Sequence, residues 1–275
     1  MRQSIQNLPF TIGAPSMIFR KNMVENVRLL AKLLPHIEIL LFHQPDINNI
    51  PTTTELNEIK AIGNGEGISF SVHLPASLEI ASPDHIKRQH SLELTRQCCM
   101  KTAEINPLHY IIHVPYSPPT LVTVPGLYFN ANNADQQQEW IGHATESLEL
   151  LHEDWHYPGS LLVENINFSP TLLEPLWSKS LCEFCLDIGH LVLGKENVET
   201  IMRQYLPVTR EIHLHGVREN DEHLSLAAYP NEKIQNWLSF MHEHFRGILN
   251  LEVFSPEDME ESLNIILGLT RPAND

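Results

Sequence analysis

Short apolar runs rich in β-branched and aromatic residues alternate along this chain with longer stretches of helical period. Eight runs read as strands: Phe10–Ala14, His36–Phe42, Ile68–His73, His109–Val114, Ser160–Asn165, Cys182–Asp187, Glu211–His215 and Ile248–Val253. Between them, amphipathic helical patterns cover Asn22–Leu34, Thr54–Gly63, Asp84–Glu104, Gln136–His152, Glu196–Tyr205 and Asn231–His244. Ser82-Pro83-Asp84 and Ser255-Pro256-Glu257 supply helix starts, each with a small polar residue ahead of a proline. Strands separated by helices rather than hairpins imply a parallel sheet. Eight such units in 275 residues predict one domain, residues 1–275, folded as an α/β (β/α)8 TIM barrel.

Composition narrows the setting. Hydrophobic residues make up 42% of the chain, enough for a sizeable core. No apolar run approaches bilayer length, and Met1–Phe10 lacks a secretory pattern, so a cytoplasmic protein without a membrane partner is expected. Cys98, Cys99, Cys182 and Cys185 include one C-x-x-C but no second pair at zinc-ribbon spacing, and read as buried free thiols. No G-x-G-x-x-G or G-x-x-x-x-G-K-[ST] follows a strand, which removes the usual nucleotide-binding readings. Lys and Arg number 18 against 34 Asp and Glu, a formal charge of -16. Tracking a phosphate backbone calls for the opposite sign, so nucleic acid is disfavoured as a partner. Pro115–Ala134 is long, proline-rich and aromatic-bearing, the character of a lid or binding loop.

The chemistry gathers where the strands end. Strand three closes on His73, strand four on His113 and strand five on Glu164-Asn165. Strand six closes on Asp187 with His190 after it, strand seven carries His213 and His215 ahead of Asp221 and His223, and strand eight carries Glu252. Barrel enzymes build their sites at this C-terminal face. Neutral imidazole and carboxylate suit zinc, manganese or iron, and a carboxylate bridges two ions. Two or three dications lower the pKa of a shared water and clamp both oxygens of a phosphoryl displacement. A single His or Glu near a strand end is as often a hydrogen-bonded structural residue; His36, His43, His109 and His152 are read that way. Chance would scatter the set over both barrel ends and both strand faces. Asp187 and His190 have the alternative of a purely structural pairing.

At these residues the sequence resembles the xylose-isomerase-like barrel superfamily that includes endonuclease IV, over nearly the whole chain. The resemblance implies a ligand set of His73, His113, Glu164, Asp187, His190, His213, Asp221, His223 and Glu252 for two or three divalent ions, with His215 as an alternative to His213. The segment Asp221-Glu222-His223-Leu224-Ser225-Leu226 is similar to that family's D-x-H-x-S-L. Further stretches resemble cobamide-remodelling phosphodiesterases of the CbiR type. These are Ile12-Gly13-Ala14-Pro15-Ser16, Asn26-Val27-Arg28-Leu29-Leu30, Ile37-Glu38-Ile39-Leu40-Leu41-Phe42, Val72-His73-Leu74-Pro75, Ala81-Ser82-Pro83-Asp84 and His213-Leu214-His215-Gly216-Val217. Where that family reads Glu after the Leu-Phe of strand two, this chain has His43.

That likeness implies a hydrolase acting on a corrinoid: cleavage of the nucleotide-loop phosphodiester of a cobamide to α-ribazole and cobinamide phosphate. Glu164, Glu252 and Asp187 are the candidate catalytic carboxylates, and Tyr116 and Arg218, in strand-end loops, are candidate substrate contacts. Three rivals compete. An abasic-site endonuclease shares the ligands but sits poorly with the acidic charge. A sugar isomerase or epimerase needs Glu164 and Glu252 about a sugar but not Asp221 and His223. A non-catalytic corrinoid binder tolerates loss of His73 or His113.

Overall fold

The computed structural model describes residues 5, 7–115, 134–166, 168–219 and 221–270. Eight strands form a closed barrel: β1 (Thr11–Pro15), β2 (His36–Leu40), β3 (Ser69–His73), β4 (His109–His113), β5 (Ser160–Glu164), β6 (Glu183–Asp187), β7 (Thr209–Leu214) and β8 (Ile248–Leu251). Each runs parallel to its sequence neighbours, and β8 closes on β1. These are the eight expected strands, differing by one to a few residues at their ends.

The helices start where side chains can satisfy their first N–H groups. Asn22 caps Met23–Leu30, and Thr52 with Glu55 forms a capping box for Thr53–Glu66. That helix stops at Gly67, whose φ of 62° lies in the left-handed region glycine tolerates. Asp84, not Ser82, caps His85–Thr102, whereas Ser255 Oγ accepts from the Asp258 N–H at the start of Pro256–Thr270. Ala134–Glu153, Val198–Tyr205 and Asn231–His244 complete the set foreseen. Among the described residues, no helix is long and apolar enough to cross a membrane.

Short elements escaped the periodicity, among them the five-residue helix Glu174–Ser178. A six-residue helix, Ile188–Leu193, follows β6 directly. Two small antiparallel hairpins, His43–Gln44 with Ile47–Asn48 and Gly216–Arg218 with Asp221–Leu224, follow β2 and β7. Strands of two to four residues are too short to leave an alternating signature.

Strand alternation decides what faces the barrel axis, because successive side chains point to opposite faces. One face, with Ile37, Ile39, Phe70, Val72, Tyr110, Ile112, Val163, Phe184, Leu186, Ile212 and Leu249, belongs to the large core shared with the helices. The other face is inward and mixed. Ile111, Leu162 and Cys185 form a separate small apolar cluster there. Below and around it lie His36, Ser71, Glu38, Glu211 and Asn250, all fully buried. Cys182 and Cys185, three apart on an extended segment, point to opposite faces, and all four cysteines are free.

Candidate metal centre

The inward parity of β3 to β8 ends, at the C-terminal mouth, on His73, His113, Glu164, Asp187, His213 and, one residue past β8, Glu252. All except His113 are buried. Glu164 is the hub. Its Oε2 lies 3.1 Å from His73 Nε2 and 3.1 Å from His113 Nε2, and its Oε1 lies 3.2 Å from His213 Nδ1. The two imidazoles on Oε2 meet edge to face, with centroids 4.7 Å apart. His73 Nδ1 is 2.8 Å from the Leu74 carbonyl, which accepts its proton, so Nε2 is the nitrogen turned toward Glu164.

Two groups of donors therefore share one carboxylate. His73, His113 and Glu164 form the first. Glu164, Asp187, His213 and Glu252 form the second, with one donor atom from each lying within 4.8 Å of the others. Burial alone would raise the Glu164 carboxyl, but His213 and His113 outweigh it and hold it well below the usual range. Burial likewise works against charge on His73, and hydrogen bonding to Glu164 with the charge of Glu38 reverses this, carrying it up to about 9.

Asp187 does two things at once. Its Oδ1 accepts the His190 N–H at 2.6 Å and so caps Ile188–Leu193, while its Oδ2 faces His215 Nε2 at 3.4 Å and His190 Nε2 at 3.8 Å. The Asp-x-x-His spacing thus encodes a helix start as well as a cluster. Between His213 and His215 the geometry favours His213 as a donor. The nearer partner of His215 Nδ1 is the His223 backbone N–H at 2.9 Å, and the Gly216 carbonyl is 3.3 Å away. A neutral His215 then carries its proton on Nε2, toward Asp187.

His223 Nδ1 lies 3.0 Å from the Glu252 carbonyl and 3.7 Å from Glu252 Oε2. His215, His223 and Glu252 make a third convergent group. Asp221 is not brought in: it is exposed on the hairpin after β7, across from Arg218, which is also exposed. Its neighbour Glu222 stands there instead, 3.9 Å from His190 Nδ1 and 3.9 Å from His223 Nε2. The backbone gives the reason. His223 has a φ of 58° and the hairpin register shifts between Gly216 and Arg218, so the alternation that pairs Asp221 with His223 fails. Tyr116 lies outside the described residues.

Sequence reasoning also passed over Glu38 and Asn165. Glu38 is an ionisable residue inside an otherwise apolar strand, a signal available in His-Ile-Glu-Ile-Leu, and its Oε2 lies 3.0 Å from His213 Nε2. Of the histidines read as structural, His36 and His109 are held by side-chain hydrogen bonds, whereas His43 Nδ1 is buried without a partner. His36 bonds Ser69 and Ser71, His109 bonds Ser160, and His43 opens a hairpin whose carbonyl accepts from Ser77 Oγ at 2.8 Å.

The residues fit a divalent cation. Asp187 Oδ2 and Glu252 Oε2 are buried without a well-formed hydrogen bond, their nearest imidazole nitrogens standing 3.4 Å and 3.5 Å away, an expensive arrangement for carboxylate oxygens that a cation would relieve. The nitrogen and oxygen donors match zinc, manganese or iron.

A closed parallel barrel with imidazoles and carboxylates converging at its C-terminal mouth has the layout of a barrel enzyme. The chain belongs to the xylose isomerase-like TIM barrel family, whose model matches residues 27–268. Among solved structures it is similar to a D-tagatose 3-epimerase-like protein, with 16% identity over 94% of this chain and 97% of that one and a TM-score of 0.73. It is similar to 3-keto-D-glucoside 4-epimerase from E. coli, with 10% identity over 94% and 98% and a TM-score of 0.70. It is similar also to endonuclease IV from Thermus thermophilus, with 15% identity over 94% and 98% and a TM-score of 0.67. At these identities the likeness is one of fold. No curated protein matches the sequence.

Proposed function

We propose that the protein is a metal-dependent phosphodiesterase that opens the nucleotide loop of a cobamide, releasing α-ribazole and cobinamide phosphate. The observation that carries the reading is the division of Glu164: His73 and His113 converge on one oxygen, and His213 meets the other. His73, His113 and Glu164 would hold one ion, and Glu164, Asp187, His213 and Glu252 a second. Such ions supply an activated water at neutral pH and a clamp on the attacking and leaving oxygens of a phosphoryl group. The chain's own residues do the positioning. Helix Ile188–Leu193, begun by Asp187, fixes the carboxylate that faces the cluster, and the parallel register of β5 to β8 brings the remaining donors to the same mouth. The acidic chain disfavours DNA, and the stretches that resemble cobamide-remodelling phosphodiesterases support a corrinoid substrate.

A second reading is sugar epimerisation. Glu164, Asp187, His213 and Glu252 form a self-sufficient group, and Glu164 and Glu252 provide two carboxylates for moving a proton on and off one carbon. Of the solved structures named above, one is a 3-keto-D-glucoside 4-epimerase and another a D-tagatose 3-epimerase-like protein, which supports it.

The test is incubation of the metal-loaded protein with a coenzyme-form cobamide and, in parallel, with ketohexoses, read by mass spectrometry and by sugar chromatography. Cobinamide phosphate with free α-ribazole, absent in Glu164→Gln, is the expected result. An intact cobamide with an epimerised sugar transfers the assignment to the second reading.

A further inference from the structure

Glu38 sits in the middle of β2, on the inward face and with no solvent exposure. An ionised carboxylate in such a place carries a large desolvation cost, and an apolar residue of similar volume would pack there more favourably. Its Oε2 reaches across the barrel to His213 Nε2 on β7, a strand that does not pair with β2, at 3.0 Å. The same imidazole turns Nδ1 toward the mouth, 3.2 Å from Glu164 Oε1 and 3.5 Å from Glu252 Oε2. Its two nitrogens thus serve two different neighbourhoods. The His73 ring lies beside it at 26° with centroids 5.9 Å apart.

Both nitrogens face carboxylates, which only accept; once a cation takes the place of the proton on the mouth side, the one proton of a neutral His213 belongs on Nε2, where Glu38 receives it. Nδ1 is then a lone pair aimed at the mouth. Remove the acceptor and the proton is free to sit on Nδ1, where it blocks the donor. We propose that Glu38 is a positioning residue that fixes the tautomer of His213 so that Nδ1 is the nitrogen presented to a metal. This inference rests on the metal-centre reading above. It goes beyond it in assigning an orienting partner from a strand with no residue in the donor set. Partners of this kind commonly govern metal affinity by about 10- to 100-fold.

Zinc affinity of the full chain is measured by competition with a chromophoric chelator, for the wild type, Glu38→Gln and Glu38→Leu. Nitrogen NMR of the zinc-loaded wild type, with labelled histidines, reports which His213 nitrogen is metallated. Glu38→Leu is expected to bind zinc about 10- to 100-fold more weakly. Glu38→Gln, whose side-chain oxygen still accepts from Nε2–H, is expected to stay within several-fold of the wild type. His213 is expected to be metallated at Nδ1 and protonated at Nε2. Wild-type affinity in Glu38→Leu, or metallation at Nε2, overturns the proposal. A merely structural role would lower thermal stability without changing zinc affinity in the folded variant. If Glu38→Leu fails to fold, the metallated nitrogen of the wild type decides. A wild type that takes up no zinc, manganese or iron sinks the metal reading itself, an outcome distinct from failure of Glu38 alone.

Discussion

Asn165 and Asp187 are joined by two reciprocal hydrogen bonds: Asn165 Nδ2 donates to the Asp187 carbonyl at 2.8 Å, and the Asp187 N–H donates to Asn165 Oδ1 at 2.9 Å. The pair ties the residue after β5 to the last residue of β6, with both side chains buried. Asn165→Leu leaves the Asp187 backbone without these partners in the interior. We expect a loss of about 1–3 kcal/mol of stability, read by urea denaturation, and weaker metal uptake because Asp187 is no longer held in place. An unchanged midpoint would mean that Asp187 is fixed by its helix cap alone.

The sharing of Glu164 predicts a stoichiometry. The wild type should retain two ions after gel filtration, counted by elemental analysis. His113→Ala should retain one, because Glu164, Asp187, His213 and Glu252 are untouched. Phosphodiesterase activity should fall steeply while the remaining ion stays bound. A His113→Ala protein that keeps the wild-type count contradicts two adjoining ion pockets.

His36 gives a pH prediction away from the mouth. Burial, with a smaller push from His109, lowers its pKa from 6.5 to about 3, so it is neutral in the fold. The unfolded chain takes up its proton below about pH 6.5 and the folded chain does not. The contribution is therefore present above pH 6.5 and is lost as the pH falls toward 3, at up to about 1.4 kcal/mol per pH unit. His109, lowered to about 4, acts in the same direction and is left in place. Urea midpoints between pH 7.5 and 5 should fall more steeply for the wild type than for His36→Gln. Parallel slopes would show that His36 accepts a proton within the fold.

Gly189 follows Asp187 by two residues, and a Cβ there would come within 2.0 Å of His215 Cε1. The absence of a side chain lets the His215 ring lie against the helix start and face Asp187. Gly189→Ala forces that ring aside, an overpacking we expect to destabilise by about 1–3 kcal/mol and to weaken metal binding. Thermal unfolding and zinc competition on the same variant check it. A variant with unchanged stability and affinity would show that His215 has room to move.

Much of this was legible in advance for a simple reason. Each barrel strand carries its own short apolar run, and the mouth is reached by following one strand parity to its end. His73, His113, Glu164, Asp187, His213 and Glu252 all obey that rule. What was not legible depends on partners distant in sequence. Glu38 signals its inward position within β2, but nothing in the chain announces that it meets a histidine 175 residues away. Asp221 stands exposed opposite Arg218 and Glu222, also exposed, is the one that approaches His190 and His223, in a hairpin where His223 adopts a left-handed backbone that no periodicity records. The short helix after β6 is hidden for a related reason, since its start is set by the same Asp187 that reads as a donor.

The division of Glu164 between two groups means that the pockets would not fill independently. A first ion would claim part of the carboxylate, and a second would arrive against the repulsion of a neighbouring dication. Loading would proceed in two steps at different free-metal concentrations. A chemistry that needs both ions would then switch on at the second step, making catalytic output a readout of how well the cell is supplied with metal.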